Sequence, residues 1–506
     1  MSVARKILWN TVAQMIGKAF IAVIGIVIIK LITGYLGKTG YGEYTAAFDY
    51  LALFSILADM GLYTIGIREM AKDNQRVPNI IGNMLTVRTI SAIFVICMAG
   101  FIAPFIPNFE YPGSHLPLAV WLAGIAAFFN LMTTVVSAVL QVHLKMEYNS
   151  IASVAGKVVN LIGILLVIYV LSPNDAINGF YEILGAGIAG NATMLFITYL
   201  FSRKLTPIRF EFDKAFIKDV LIKALPYGIA LVLNTIYFRI GSLSLTIFRT
   251  KAEVGIYGVP MRMIEAIGVI PLYFMNAVLP VLTRAIQRKD GSHEKIIQFA
   301  FDFLIMGSMP IVAGTLVLAY PIIRIVSTPE FLSNSAKGIY GSDAVLPILI
   351  FALFFSFINS LVGFILVADN RQNKILVRNL IGAIMTLILD FTLVPRFGVR
   401  AAAFDNVLTE CYVAVASYFL AKHYLKFNLS FKNFFKAAFC AIVMGVVVYA
   451  LRDPTYHFLG LQNKNLILLI PLGGLVYIGM LFATKTITKE MLAMVRKPAK
   501  SEIVVE

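Results

Sequence analysis

Residues 56–69 read ILADMGLYTIGIRE: an apolar run holding Asp59, then Gly61 and Gly66, then the pair Arg68–Glu69. In a soluble protein this is an ordinary helix end. The chain around it is different. Of its 506 residues 59% are hydrophobic and only 14% charged, against about a quarter charged in soluble domains. That is the composition of a membrane protein, and inside an apolar layer every ionisable side chain needs a partner or water.

Outward from that stretch, apolar runs recur at the length a spanning helix requires, about 20 residues. About fourteen are predicted, at 8–33, 42–64, 79–106, 116–140, 150–171, 178–201, 224–247, 254–283, 297–325, 344–367, 375–394, 399–421, 434–451 and 465–484. The span at 254–283 contains Pro260, Pro271 and Pro280 and is expected to kink or unwind. Strands of a membrane barrel are shorter and alternate strictly, a pattern not visible here. Arg5 and Lys6 precede the first run as in a signal peptide, but the run is too long and reads as a retained span. Cys97, Cys411 and Cys440 fall inside apolar runs with neither metal-ligand nor disulfide spacing.

Lysine and arginine set the orientation. With the N-terminus in the cytoplasm, the basic connectors fall inside. Residues 203–223 alone hold Arg203, Lys204, Arg209, Lys214, Lys218 and Lys223, while PNFEYPGSH (107–115) and SPNDAIN (172–178), both external, hold none. A multi-pass protein of the cytoplasmic membrane with both termini in the cytoplasm is expected. The net charge of +16 reads as a topology signal and an attraction to anionic lipid heads. Its dispersal along membrane-facing edges argues against nucleic acid as a partner.

In DKAFIKDVLIKAL (213–225), Ala215, Phe216, Ile217, Val220, Leu221 and Ala224 stand at helical spacing, the pattern of an amphipathic helix on the cytoplasmic face. It divides the chain into an expected six-helix bundle at 1–202, a connector at 203–223, a second six-helix bundle at 224–426, two added spans within 427–486 and a cytoplasmic tail at 487–506. The bundles echo each other. GEYTAAF (42–48) resembles GIYGVPM (255–261), and LKMEYNSIASVAGKVVNLI (144–162) resembles NRQNKILVRNLIGAIMTLI (370–388). Six crossings return the chain to its starting side, so the repeats share an orientation about an axis along the membrane normal. Such pairs commonly enclose a cavity that opens alternately to each side.

Two stretches also resemble a known family. LGKTGYGEYTAAFDYLALFSILADMGLYTIGIRE (36–69) is similar to the second-helix signature of polysaccharide transporters of the O-antigen flippase type. VPRFGVRAAAFDNVLTE (394–410) resembles that family's junction between its eleventh and twelfth helices. These transporters belong to the multidrug/oligosaccharidyl-lipid/polysaccharide exporter superfamily. The resemblance implies an all-α integral membrane protein, with two pseudo-twofold six-helix bundles in a V around a cationic cavity and two C-terminal helices. It implies a flippase, not an enzyme, that moves a polyprenyl-(pyro)phosphate-linked oligosaccharide from the cytoplasmic to the outer leaflet by alternating access. The lipid II flippase branch carries arginines in its first two helices. Here the first carries Lys18 and Lys30, and the second has no mid-helix arginine, which favours another lipid-linked saccharide.

Within the spans, Lys18, Arg88 and Arg239 lie deep and have no acidic residue three or four positions away, so none is neutralised within its own helix. With Arg262 they are the candidate phosphate ligands, arginine offering a bidentate fork and lysine a point charge. Asp49 falls at the depth of Lys18 on the next helix; it either pairs with Lys18 or takes the coupling ion, H+ or Na+. Glu265, three residues from Arg262, is the second coupling candidate, the alternative being that the two satisfy each other. No cofactor or metal site is expected. Asp302, Asp390 and Lys157 lie nearer helix ends and read as structural, and Lys30, Arg324 and Arg378 as head-group anchors. In the opening stretch, Asp59 lies about two turns below the cytoplasmic surface. With Gly61 and Gly66 it reads as a gate or hinge there, or equally as a glycine packing seam.

GKTG (37–40) hints at a phosphate-binding loop, but Ile32 stands where that motif needs its first glycine. A multidrug/cation antiporter of the same superfamily is the nearest rival, and a basic lining would repel its substrates. A membrane glycosyltransferase or polymerase needs acidic residues in sizeable external loops. The first three external loops run only about 8 to 13 residues and offer little besides Glu110 and Asp175. Expected partners are the lipid-linked oligosaccharide, membrane lipids and other polysaccharide-assembly proteins.

Overall fold

The computed structural model describes residues 3–109, 114–288, 291–334, 336, 338–369, 371, 373–457 and 465–487. In chain order the helices are α1 (Val3–Asp59), α2 (Leu62–Met70), α3 (Val77–Ile102), α4 (Leu116–Val142), α5 (Met146–Leu166), α6 (Ala176–Ser202), α7 (Lys214–Phe248), α8 (Lys251–Ile267), α9 (Val269–Arg288), α10 (Ser292–Val326), α11 (Ser342–Ala368), α12 (Asn373–Phe397), α13 (Val399–Leu425), α14 (Lys432–His457) and α15 (Leu466–Ala483). Among the described residues the β structure is one isolated bridge, Asn334 to Ile339. The fold is all-α, and the protein is a multi-pass membrane protein.

Twelve helices are long and apolar enough to cross a membrane. Two of the expected crossings are missing from that count for separate reasons. α1 holds the first and second crossings, joined at Gly37, whose φ of 65° suits glycine alone. α13 carries Asp405, Asn406, Thr409 and Glu410, which pull its hydropathy down although it occupies the expected twelfth span. The proline-rich run breaks as expected, into α8 and α9 at Gly268. Pro271 has no N–H to give the carbonyl of Ile267, so the α-helical ladder stops there. Large apolar side chains lie bare on the outside, Phe105 at 86% exposure among them, as a lipid-facing surface requires.

The amphipathic connector does not form a helix of its own: it is continuous with the seventh crossing, as α7. Asp213 starts that helix, its carboxylate accepting from Ala215 N (2.9 Å) and Phe216 N (3.2 Å). Just before it, the extended chain is held by one face of α3. Asn79 donates to Glu211 Oε2 (2.5 Å), Thr86 to Glu211 O (2.7 Å), and Asn83 Oδ1 accepts from Asp213 N (2.5 Å). Gly82 lets the strand lie close, since a β-carbon there would sit 2.5 Å from Arg209 O.

By packing, the chain forms two compact units. The first comprises residues 1–260, 326–332 and 376–409. Inside it α5 and α6 meet at Gly156 and Gly190, where a β-carbon on either would come within 2.7 Å of the other's carbonyl oxygen. The second comprises residues 261–325, 333–375 and 410–506. There the added helices dock on α10: Tyr477 donates to Met306 O (3.0 Å), and Asp302 accepts from Asn433 (2.8 Å) and Gln298 (2.9 Å). Asp302 is thus a structural residue. Glu110 and most of the expected tail (488–506) lie outside the described residues.

Candidate functional site

All the charged residues that follow, except Arg262 and Glu265, belong to the first unit. At the lower end of α1 the helix stops at Asp59. Met60 (φ 39°) and Gly61 (φ 77°) turn the chain left-handed, and α2 begins at Leu62. This turn rests on α7 at Gly228, where a β-carbon would lie 2.6 Å from Met60 O. Gly66 is equally tight: a β-carbon there would collide with the Met84 thioether. The helix therefore breaks at Gly61, whose φ suits glycine, while Gly66 makes a packing contact inside α2.

Arg88 is held at that break. Its guanidinium is fully buried, donates from Nη1 to Ala58 O (2.8 Å) and pairs through Nη2 with Asp59. A positive group on the last carbonyl and carboxylate of a helix completes groups the helix leaves unbonded and opposes its dipole. Expected among the phosphate ligands, Arg88 instead caps α1. Its acid lies on another helix, so sequence spacing gave no sign of it.

Midway up the second leg of α1, Asp49 meets Arg239 of α7, Nη1 to Oδ1 at 2.8 Å. The carboxylate side is 5% exposed and the arginine 20%. Asp49 was expected to face Lys18. Lys18 is exposed and has no ion pair among the described residues. Arg262 and Glu265 satisfy each other at 2.9 Å and are both partly exposed. Lys30 does not snorkel; it donates to Ser327 O.

Two carboxylates form a further cluster. Asp390 of α12 and Asp405 of α13 face each other, both with no exposed surface, and no other residue donates a hydrogen bond to any of their four oxygens. Asp390, read from the sequence as a structural residue nearer a helix end, is fully buried. α12 runs on to Phe397 before turning at Gly398 (φ 59°), which leaves Asp390 deep. The signal for Asp405 lay in the sequence: it stands seven residues after Gly398 and Asp390 eight before, which sets them at equal depth on a helical hairpin. Gly241 of α7 gives the pair room. A β-carbon there would sit 3.7 Å from Asp390 Oδ2 and 3.4 Å from the Tyr257 hydroxyl.

At the far end of α7 a cavity of about 590 Å³ is lined by Thr39, Asn108, Arg249, Thr250, Lys251 and Glu253, with Phe248 and Ala252. Its cations are occupied structurally. Arg249 pairs with Glu253 (3.0 Å), and Lys251 donates to Thr246 O (3.3 Å) beneath Phe109. Asn108 donates to Ile247 O (2.5 Å). The last two finish the carbonyl end of α7.

The family described as "Polysaccharide biosynthesis protein" matches residues 3–286, more than half of the chain. The chain belongs to that family. No curated protein matches it. Among solved structures it is similar to the lipid II flippase MurJ in an inward closed conformation, with TM-score 0.69, 14% identity and coverage of 94% of this chain and 98% of that one. A multidrug resistance transporter, inward-facing, gives TM-score 0.65 at 15% identity over 82% and 98%. A Pyrococcus furiosus transporter of the same superfamily, described as having a binding pocket of reverse polarity, gives 0.61 at 18% over 83% and 95%. At these identities the likeness is one of fold. The chain has the fold shared by these transporters.

Proposed function

We propose that the protein is a flippase for a lipid whose head group is a saccharide joined through phosphate or diphosphate to a polyprenyl chain. The membership in a polysaccharide biosynthesis family supports a saccharide cargo, and the fold supports movement across the bilayer. The observation that carries the reading is the Arg239–Asp49 pair. An arginine at mid-span, partly accessible and paired with a carboxylate, can exchange that carboxylate for a phosphate oxygen, one charge-assisted contact replacing another. Lys18, exposed on the first leg of α1 and without an ion pair among the described residues, supplies a second positive charge. Charge within the bilayer costs about 2.5–3.5 kcal/mol, and in this reading Lys18 avoids that cost by facing a water-filled transport path.

Asp390 and Asp405 replace Asp49 and Glu265 as the coupling site in this proposal. Two buried carboxylates facing each other without donors require a cation between them, H+ or Na+. That same pair favours one second reading, a cation-coupled drug antiporter. The two separate in one experiment. Purified protein in vesicles is given a fluorescent polyprenyl-diphosphate saccharide on one leaflet and a cationic dye in the lumen. Movement of the lipid to the other leaflet, with its glycan unextended and the dye retained, is expected. Dye efflux with the lipid immobile would overturn the flippase reading, and glycan extension would make it an enzyme.

A further inference from the structure

The two sequence repeats meet beside the Gly37 turn within α1, through backbone. A β-carbon on Gly42 would collide with the carbonyl oxygen of Lys251 and come 3.0 Å from Gly255 N. A β-carbon on Gly255 would collide with the carbonyl oxygen of Lys38 and come 3.2 Å from Gly42 N. The contact is reciprocal: each glycine faces the carbonyl four residues before the other. The register that aligns GEYTAAF with GIYGVPM sets Gly42 against Gly255 and Lys38 against Lys251, so equivalent surfaces meet, as across a twofold axis. One turn deeper the contact continues, with a β-carbon on Gly258 lying 2.9 Å from both Thr45 Oγ1 and Cγ2.

We propose that Gly42 and Gly255 form the closing surface of a gate at this end of the transport path. A carbonyl placed where a β-carbon would stand makes Cα–H···O contacts, individually weak and needing no side-chain rearrangement to form or break. Two helices docked this way separate as rigid bodies. Glycine is required at both positions because any β-carbon holds the carbonyls apart. Its place distinguishes this contact from the Gly156–Gly190 seam, which joins neighbouring helices of one repeat. Gly42 and Gly255 join different repeats, at the mouths of their hairpins.

The purpose of the gate rests on the transport reading; its closure does not, and is measured without substrate. The full chain in lipid nanodiscs, its native cysteines replaced, carries spin labels at Thr39→Cys and Thr250→Cys, both exposed beside the contact. Pulsed dipolar spectroscopy should find a dominant short separation. Gly42→Ala and Gly255→Ala should each reduce that population about tenfold or more, the consequence of an overpacked contact. Alanine is the better helix former, so the fold is retained. Gly25→Ala, where nothing lies within 4 Å, and Gly156→Ala should leave the separation unchanged. The proposal is overturned by an unmodified protein with no short population, by alanine variants that keep it, or by an equal shift in Gly25→Ala. Gating without any saccharide movement would leave the gate standing and remove the flippase reading instead.

Discussion

Two arginines on neighbouring helices each face an aspartate of α1, and they do opposite things. Arg88 is fully buried and binds a carbonyl as well as Asp59, so its charge is spent on ending a helix. Arg239 is 20% exposed, and its carboxylate is Asp49. The first arrangement is a fastening, and the second is the one we propose exchanges partners. Residue type and depth alone do not tell a ligand from a brace. Access does: Arg88 has no exposed surface and Arg239 does.

The largest effect expected from breaking this contrast is on stability. Arg88→Met leaves Asp59 without its cation and the Ala58 carbonyl with only the longer contact from the Ser91 hydroxyl (3.3 Å), and removing one partner of a buried pair costs about 3–5 kcal/mol. A marked fall in Tm in detergent should follow, and Arg88→Lys should not restore it, because an ammonium lacks the fork that spans both acceptors. A Met variant as stable as the parent would show that Arg88 is not a brace. Next comes Arg239→Gln, which should slow flipping about ten- to a hundredfold, the worth of a charge-assisted hydrogen bond, with a smaller change in Tm. Adding Asp49→Asn should recover the Tm and leave transport impaired. Recovery of transport would mean that Arg239 serves only to neutralise Asp49.

A third test moves to the acidic pair. Asp390→Asn or Asp405→Asn should abolish the dependence of flipping on a proton or sodium gradient without lowering Tm, since each removes a charge that no donor supports. Retained gradient dependence in both would exclude the pair from coupling. The smallest effect is expected at Asp175, the cap of α6. Its carboxylate accepts from Asn178 N (3.1 Å), the Asn178 side chain (2.6 Å) and Ile177 N (3.2 Å), which hold its pKa below the ordinary aspartate value. A lowered folded-state pKa gives stability that is present above the unfolded pKa and lost as pH falls through the folded one. Asp175→Asn should therefore lower Tm slightly at neutral pH and not at all in strong acid.

The spans were legible because a membrane crossing has a fixed length and an apolar composition, and Gly37, Gly61 and Pro271 marked their breaks. Asp49 and Arg239 were legible as buried charges, but not as each other's partner: 190 residues separate them, and only packing brings them together. Lys18 was assigned to Asp49 on depth, which fixes height along the membrane normal and leaves the angular position open. Asp405 stood inside the quoted motif VPRFGVRAAAFDNVLTE, its distance from Gly398 matching that of Asp390. Reading the hairpin as a folded pair of helices would have found it. Gly42 and Gly255 showed in the repeat alignment, whereas their contact needed the backbone.

The central claim, that Arg239 receives the phosphate of a lipid-linked saccharide, is tested most directly by the flipping rate of one polyprenyl-diphosphate saccharide. It is measured in matched vesicles holding the unmodified protein or Arg239→Gln, with folded protein quantified in both. The account predicts rapid movement by the first and at least about tenfold slower movement by the second. Equal rates in the two preparations would contradict it.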